Sequence, residues 1–200
     1  GQVSFGLHIE RGKPENAGMA MEFTTSFLKD AVEVLRYYKR LGERAMEQAP
    51  EAALFATLDA ESNSIAIIVK HICGNMRSRW TDFLTTDGEK PDRNRDTEFE
   101  AAVRTRAELM AQWEAGWRYV FDALATLSES DLGRRVVIRT EAHSAMQAIN
   151  RALGHYAYHT GQIVYLAKHF AGANWKALTI PRGKSAEFFA DVASRKTSQR

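Results

Sequence analysis

The chain has 200 residues, of which 44% are hydrophobic, and this composition suits one folded domain and excludes a disordered protein. Its 27 basic and 25 acidic residues give a formal net charge of +2, and no stretch concentrates the basic ones, so we expect no nucleic-acid partner. The only cysteine, Cys73, excludes an intrachain disulfide. No apolar run is long enough to span a bilayer, so we expect no membrane partner and a cytoplasmic location.

Composition also predicts how the chain is divided. Residues 1–20 are rich in glycine and polar residues and lack the apolar stretch of a signal peptide, so we expect a mobile N-terminal extension. One folded domain is predicted over residues 21–190, followed by a C-terminal tail over 191–200.

Four long segments have the 3.6-residue periodicity of amphipathic helices. The first is predicted over residues 24–48, and Pro50 lies just past its end, where a proline is favoured. The second is predicted over residues 62–84, with Ser64 or one of the two residues before it as the N-cap.

The third and fourth helices have recognisable ends. The third is predicted over residues 97–127, because Thr97 and Glu100 have the spacing of a capping box. The fourth is predicted over residues 144–170 and is expected to stop at Gly172.

The connections complete the predicted fold. Residues 85–96 are polar and long enough for a crossover between the second and third helices. Residues 135–139 contain a β-branched run, which predicts a short strand or hairpin before the fourth helix. In the tail, Phe188 and Phe189 are expected to pack as a pair against the helices. We therefore predict an all-α fold, a four-helix bundle with a short hairpin.

The strongest chemical signal is the pair His155 and His159. Histidines at positions i and i+4 lie about 40° apart around a helix and one turn apart along it, so their imidazoles can converge. Neutral imidazole suits zinc, nickel, copper or iron. A metal needs further ligands, and His71 lies in the apolar middle of the second helix, where a lone imidazole is costly to bury. Three protein ligands would leave an open position, as in catalytic sites.

Other interpretations stay open for these histidines. Pairs at helical spacing also arise by chance, and a histidine such as His71 is commonly a core residue bonded to a backbone or hydroxyl group. His143 and His169 are expected at a helix start and on the surface, and Cys73 is expected to be a small core residue.

Four neighbours share the predicted faces of the histidines. Arg151, Tyr158 and Gln162 lie at i−4, i+3 and i+7 from His155, and Asn75 lies one turn beyond His71. They are candidates to orient the ligands or to hold a substrate. The alternatives are ordinary packing, interhelical hydrogen bonds and solvent exposure.

Two short arginine motifs stand apart from the histidines. Residues 77–79 (RSR) and 93–95 (RNR) have acidic neighbours, so we expect solvated surface there, with phosphate binding as the alternative.

Three stretches carry a resemblance to known proteins: residues 71–80 (HICGNMRSRW), 155–165 (HYAYHTGQIVY) and 180–185 (IPRGKS). Over most of its length the chain resembles the DinB-like superfamily of four-helix-bundle metal proteins, and within it a bacterial branch of unknown function. The resemblance implies a crossover between helices two and three, a homodimer, and a metal held by the three histidines.

The resemblance also suggests an activity by analogy. Other branches of the superfamily contain thiol transferases that use bacillithiol or mycothiol, and a maleylpyruvate isomerase that uses a thiol. By this analogy, the resemblance implies a divalent metal (zinc, nickel or iron) and a low-molecular-weight thiol as a second cofactor.

Three functions compete at this stage. A metal-dependent transferase or hydrolase would activate a thiol or water toward a small-molecule substrate. A non-catalytic module would bind a metal or small ligand, and a third reading gives the histidines only a structural role. The tryptophans at positions 80, 113, 117 and 175 exceed what one small core needs, which also favours a homodimer.

Overall fold

The computed structural model describes residues 25–100, 103–194 and 196–197, and over these ranges the fold is mostly helical with one small sheet. The elements are α1 (Phe27–Gln48), α2 (Ile65–Trp80), α3 (Arg106–Ala125), β1 (Arg135–Ile138), β2 (Glu141–Ser144), α4 (Ala145–Ala171) and α5 (Ser185–Ala193). Short 3-10 helices lie at Glu51–Leu54, Asp96–Phe99, Glu129–Asp131 and Gly172–Asn174. The extension predicted at residues 1–20 lies outside the described ranges. Of the helices described, none is both long and apolar enough to cross a membrane.

Side-chain caps explain where the helices that carry the histidines begin. The Ser64 hydroxyl accepts a hydrogen bond from the backbone N–H of Ile67, and the Ser144 hydroxyl accepts one from Gln147. Gly172, with φ of 55°, ends α4 as predicted, because glycine tolerates this left-handed conformation. The predicted second and fourth helices are therefore confirmed, although α2 ends earlier than expected.

The third helix begins later than predicted. Its capping box is formed by Thr105 and Glu108, whereas Thr97 and Glu100 belong to a separate turn around the 3-10 helix Asp96–Phe99. Both pairs have the same spacing, so the sequence signature alone did not distinguish them. The 3-10 helix packs against α2 instead of extending α3, and this brings the connection back over the histidine site.

The helices pack in pairs around a single core. α1 packs against α4, α2 packs against α3, and α2 also contacts α4. Trp80, Trp113 and Trp117 are buried inside this core. These three side chains therefore add nothing to a subunit interface, and the homodimer stays a prediction.

The predicted hairpin before α4 is confirmed. β1 pairs antiparallel with β2, with Arg135 opposite Ser144. The two turn residues, Arg139 and Thr140, have φ of 52° and 68°, values usually reserved for asparagine or glycine. The Asp87 carboxylate accepts both of their backbone N–H groups, at 2.9 and 2.8 Å, and so holds the turn in place.

The aromatic pair of the tail does not pack as predicted. The segment forms α5, in which Phe188 is half-buried and Phe189 is 68% exposed. Successive residues of a helix point about 100° apart, so both rings cannot face the core together.

Candidate metal centre

Three histidines converge where α2 contacts α4. One ring nitrogen from each of His71, His155 and His159 lies within 4.8 Å of the others. The ring centroids of His71 and His159 are 5.0 Å apart, and those of His155 and His159 are 4.7 Å apart. The convergence predicted from the sequence is confirmed, and the three side chains could hold a metal ion.

The spacing within the α4 pair suits a shared ion. Nε2 of His155 and Nε2 of His159 are 3.1 Å apart. Two imidazole nitrogens bound to one tetrahedral zinc at 2.0–2.1 Å would be about 3.3 Å apart. The alternative is a direct hydrogen bond, in which Nε2–H of His155 donates to Nε2 of His159.

Glu98 orients His71 from the side away from the other histidines. Nδ1–H of His71 donates to Oε2 of Glu98 over 2.9 Å, and Glu98 is 5% exposed. Because the proton lies on Nδ1, the lone pair of this imidazole lies on Nε2 and is free for a metal. A carboxylate behind a ligating histidine is the usual arrangement in metal sites.

Gln162 plays the equivalent part for His159. Its Oε1 accepts a hydrogen bond from Nδ1 of His159 over 2.7 Å, which leaves Nε2 of that ring without a proton. Nε2 of Gln162 donates in turn to the Tyr158 hydroxyl over 3.2 Å. Two of the three imidazoles are thus fixed in the tautomer that a metal requires.

Burial keeps the α4 histidines neutral. Loss of solvent, followed by the nearby His159, lowers the pKa of His155 to about 3. Burial is also the largest influence on His159 and lowers its pKa, although the hydrogen bond with Gln162 opposes this. At neutral pH both rings therefore carry a lone pair that can bind a metal.

Glu98 is itself held by an arginine and accommodated by a glycine. Nε and Nη2 of Arg93 donate to its two oxygens over 2.8 and 2.9 Å. Burial alone would raise the pKa of Glu98, but the hydrogen bonds from His71 and Arg93 outweigh it and lower the pKa. A Cβ on Gly74 would overlap Oε1 of Glu98 and come within 2.8 Å of its Cδ, so only glycine leaves room for the carboxylate.

The sequence patterns did not indicate that Glu98 orients His71 or that Arg93 is the partner of Glu98. The third helix predicted over residues 97–127 places Glu98 in its first turn, away from any pattern that involves the histidines. The general rule that ligating histidines bond to a carboxylate predicts that such a partner exists. Nothing in the spacing of the chain says which acidic residue it is.

A cavity of about 280 Å³ adjoins the histidines. His71 and His155 line it, together with Asn75, Ile138, Ala148, Ala152 and the arginines at 79, 93, 95, 139 and 151. The expectation of a solvated surface at residues 77–79 and 93–95 is wrong for three side chains, those of Ser78, Arg79 and Arg93. Arg79 is 7% exposed and the Arg93 side chain 2%, because Glu89 and Glu98 lie close enough to compensate part of their charge.

The four neighbours predicted from helical spacing are divided between two surroundings. Asn75 and Arg151 line the cavity, and Gln162 and Tyr158 lie behind His159. Oδ1 of Asn75 also accepts a hydrogen bond from the buried Tyr156 hydroxyl over 3.2 Å. Their roles in binding a substrate stay predictions.

The remaining predicted residues lie away from the centre. His143 is in β2, where its Nδ1 contacts the backbone oxygen of Glu141, and His169 is exposed. Cys73 is buried, as predicted, and burial raises the pKa of its thiol, which keeps it protonated.

Fold and site together define a mostly helical protein with a three-histidine cluster beside an arginine-lined cavity. The sequence matches the family described as "Protein of unknown function (DUF1572)" over residues 22–184, so the chain belongs to this family. Neither the curated proteins nor the solved structures gave a match to the chain.

Proposed function

We propose that the protein is a metal-dependent enzyme whose ion is held by His71, His155 and His159. The observation that carries the proposal is the convergence of three imidazole nitrogens beside a cavity that two of the same histidines line. Zinc, nickel and iron all suit a set of neutral imidazoles, and three protein ligands leave a position for an exchangeable group.

The chain's own residues supply orientation and access. Glu98 and Gln162 fix two of the rings with Nε2 directed away from their acceptors. Because the cavity opens on His71 and His155, a small molecule could reach the cluster from that side. When bound, a divalent ion at such a site lowers the pKa of a water or thiol and makes it a nucleophile at neutral pH.

Transfer of a low-molecular-weight thiol to an electrophile, or hydrolysis, is the reaction class that we propose. The pairing of α1 with α4 and of α2 with α3 supports a four-helix bundle, which is the architecture of the DinB-like proteins that the sequence resembles. The thiol rests on that analogy alone, whereas the activated nucleophile follows from an open metal position.

The second candidate is a module that binds a metal or small ligand without turnover. The observation that favours it is the lack of an evident general base. Glu98 is occupied by His71 and Arg93, and the cavity lining contains no carboxylate among the described residues.

Metal analysis and melting temperatures test the site. Protein purified without a histidine tag should contain close to one divalent ion per chain. Free metal at one hundred times its Kd stabilises the fold by about 2.7 kcal/mol, so a chelator should lower the Tm of the wild type. His155→Ala should melt at the same temperature with or without chelator, whereas the control His143→Ala should behave like the wild type. No copurified metal and an unchanged Tm after chelation would refute the metal site.

Turnover separates the enzyme from the binding module. Wild type and His155→Ala, both supplied with metal, are compared for hydrolysis of p-nitrophenyl acetate and for consumption of cysteine thiol by an electrophilic aryl halide. A rate that depends on His155 supports the enzyme. Stoichiometric metal binding with equal rates in both proteins supports the binding module.

A further inference from the structure

The cavity beside the histidine cluster has an unusual lining. Five of its eleven lining residues are arginines, and none of those eleven is acidic. The arginines come from separate parts of the chain: Arg79 from α2, Arg93 and Arg95 from the connection after it, Arg139 from the hairpin turn and Arg151 from α4. Like charges repel, so the fold brings these groups together at a cost in free energy that a bound anion would offset.

Two carboxylates compensate part of this charge. Glu89 accepts from Nη1 of Arg93 over 3.2 Å and from Nε of Arg139 over 3.0 Å, and it lies 4.0 Å from Nη2 of Arg79. Glu98 is bonded to Arg93 and to His71. Glu89 is therefore shared by three guanidinium groups. Glu98 already accepts two hydrogen bonds from Arg93, so it compensates little of the charge on the other arginines.

Three of the five arginines, Arg79, Arg95 and Arg151, keep N–H groups without a hydrogen-bond partner among the described residues. Nη1 of Arg79 is buried without a hydrogen-bond partner in the described part of the chain. The Arg151 side chain forms no hydrogen bond or ion pair with any described residue. The Arg95 guanidinium group also forms none within these ranges, and it lies over the ring of Phe99, 5.2 Å from the ring centroid. Unsatisfied guanidinium donors around a cavity favour binding of a carboxylate or a phosphate, because either group can accept two N–H hydrogen bonds at once.

Arg139 has a strained backbone conformation in the hairpin turn. It has φ of 52°, a conformation that is unfavourable for residues other than glycine. Asp87 compensates by accepting the backbone N–H of Arg139, and this leaves the side chain to bond to Glu89 at the cavity. The turn therefore contributes a cation to the lining of the cavity rather than a small neutral residue.

We propose that this cavity binds the anionic group, a carboxylate or a phosphate, of a small molecule, and holds that molecule against the histidine cluster. That the molecule is a substrate rests on the proposed function, whereas binding of the anion does not. The cavity volume of about 280 Å³ suits the anionic part of a small metabolite. Because His71 and His155 belong to both the lining and the cluster, the anion and the metal would bind within one molecule's length.

Isothermal titration calorimetry on the metal-free protein tests the proposal. Inorganic phosphate and succinate are titrated separately at constant ionic strength, so that the two arms distinguish a phosphate site from a carboxylate site. Loss of one charged hydrogen-bond donor should weaken binding about tenfold or more, so we expect this for Arg151→Gln and for Arg95→Gln. Both side chains are exposed and form no hydrogen bond or ion pair with a described residue, so these variants should fold normally. Arg118→Gln, an exposed arginine on α3 outside the cavity, is the matched control and should bind like the wild type.

Saturable binding of either anion that weakens in the two cavity variants and not in the control supports the proposal. The absence of saturable binding for both anions, or equal affinity in the wild type, Arg151→Gln and Arg95→Gln, would overturn it. His159→Ala separates this result from the metal site, because His159 does not line the cavity. It should lose metal and keep the anion. A wild type that binds the anion but takes up no metal when metal is supplied would leave the anion site standing and refute the proposed enzyme.

Discussion

Replacing Gly74 with alanine should destabilise the protein, although alanine is the better residue in the interior of a helix. Gly74 lies in α2, next to Asn75 and one turn from His71, and its missing side chain is the space that the Glu98 carboxylate occupies. Alanine alone would add about 1 kcal/mol of helix stability. The new methyl group would overlap Oε1 of Glu98, so that carboxylate must move.

The cost of that movement comes from the bonds that Glu98 makes. Its oxygens accept from His71 and twice from Arg93, and both side chains of the Glu98–Arg93 pair are almost fully buried. Disrupting a buried ion pair costs about 3–5 kcal/mol. After subtraction of the helix gain, we expect Gly74→Ala to lower the free energy of unfolding by about 2–4 kcal/mol. It should also weaken metal binding about 10–100-fold, because His71 loses its orienting carboxylate.

Urea denaturation followed by circular dichroism, on metal-free protein, measures the first effect, and a metal titration measures the second. Gly154→Ala is the matched control, since a Cβ at this glycine of α4 would meet nothing within 4 Å. It should gain about 0.5–1 kcal/mol of stability and bind metal like the wild type. If Gly74→Ala were as stable as Gly154→Ala and kept its metal affinity, Glu98 could not occupy this position, and its role behind His71 would be refuted.

Three further predictions follow from the core, the site and the assembly. Tyr156→Phe removes the acceptor of Trp80 Nε1 and the donor to Asn75, so it should cost about 2–4 kcal/mol in urea denaturation, while Tyr165→Phe at an exposed position should cost almost nothing. The metal-free protein should lose stability as the pH falls from 6.5 toward 3, because the unfolded state then takes up a proton that His155, with its lowered pKa, does not accept in the folded state. His155→Ala should flatten this dependence, and an unchanged slope would contradict the burial argument. Light scattering should give the mass of a homodimer, and a monomer mass at micromolar concentration would contradict that prediction.

Local sequence was sufficient for features that depend only on one helix. The pair His155 and His159 was predictable because the 3.6-residue repeat brings positions i and i+4 to one face in any helix. Ser144 and Gly172, which begin and end α4, act on backbone groups within a few residues of themselves. No knowledge of the neighbouring helices was needed for these conclusions.

Only the tertiary structure decided what surrounds that pair. His71 joins it because α2 contacts α4, and Glu98 reaches His71 because residues 96–99 fold back over α2 rather than starting α3. The T-x-x-E spacing occurs at both Thr97 and Thr105, and a local signature gives no preference between two copies of itself.

The arginines show the physical reason most clearly. From the sequence alone, an arginine side chain is expected to be exposed to solvent, because burying an unpaired guanidinium group costs several kcal/mol. Arg79 and Arg93 are buried because Glu89 and Glu98 come near them in space, and Arg139 and Arg151 join them from the hairpin and α4. Electrostatic compensation depends on distances between residues far apart in the chain, and those distances exist only once the helices have packed.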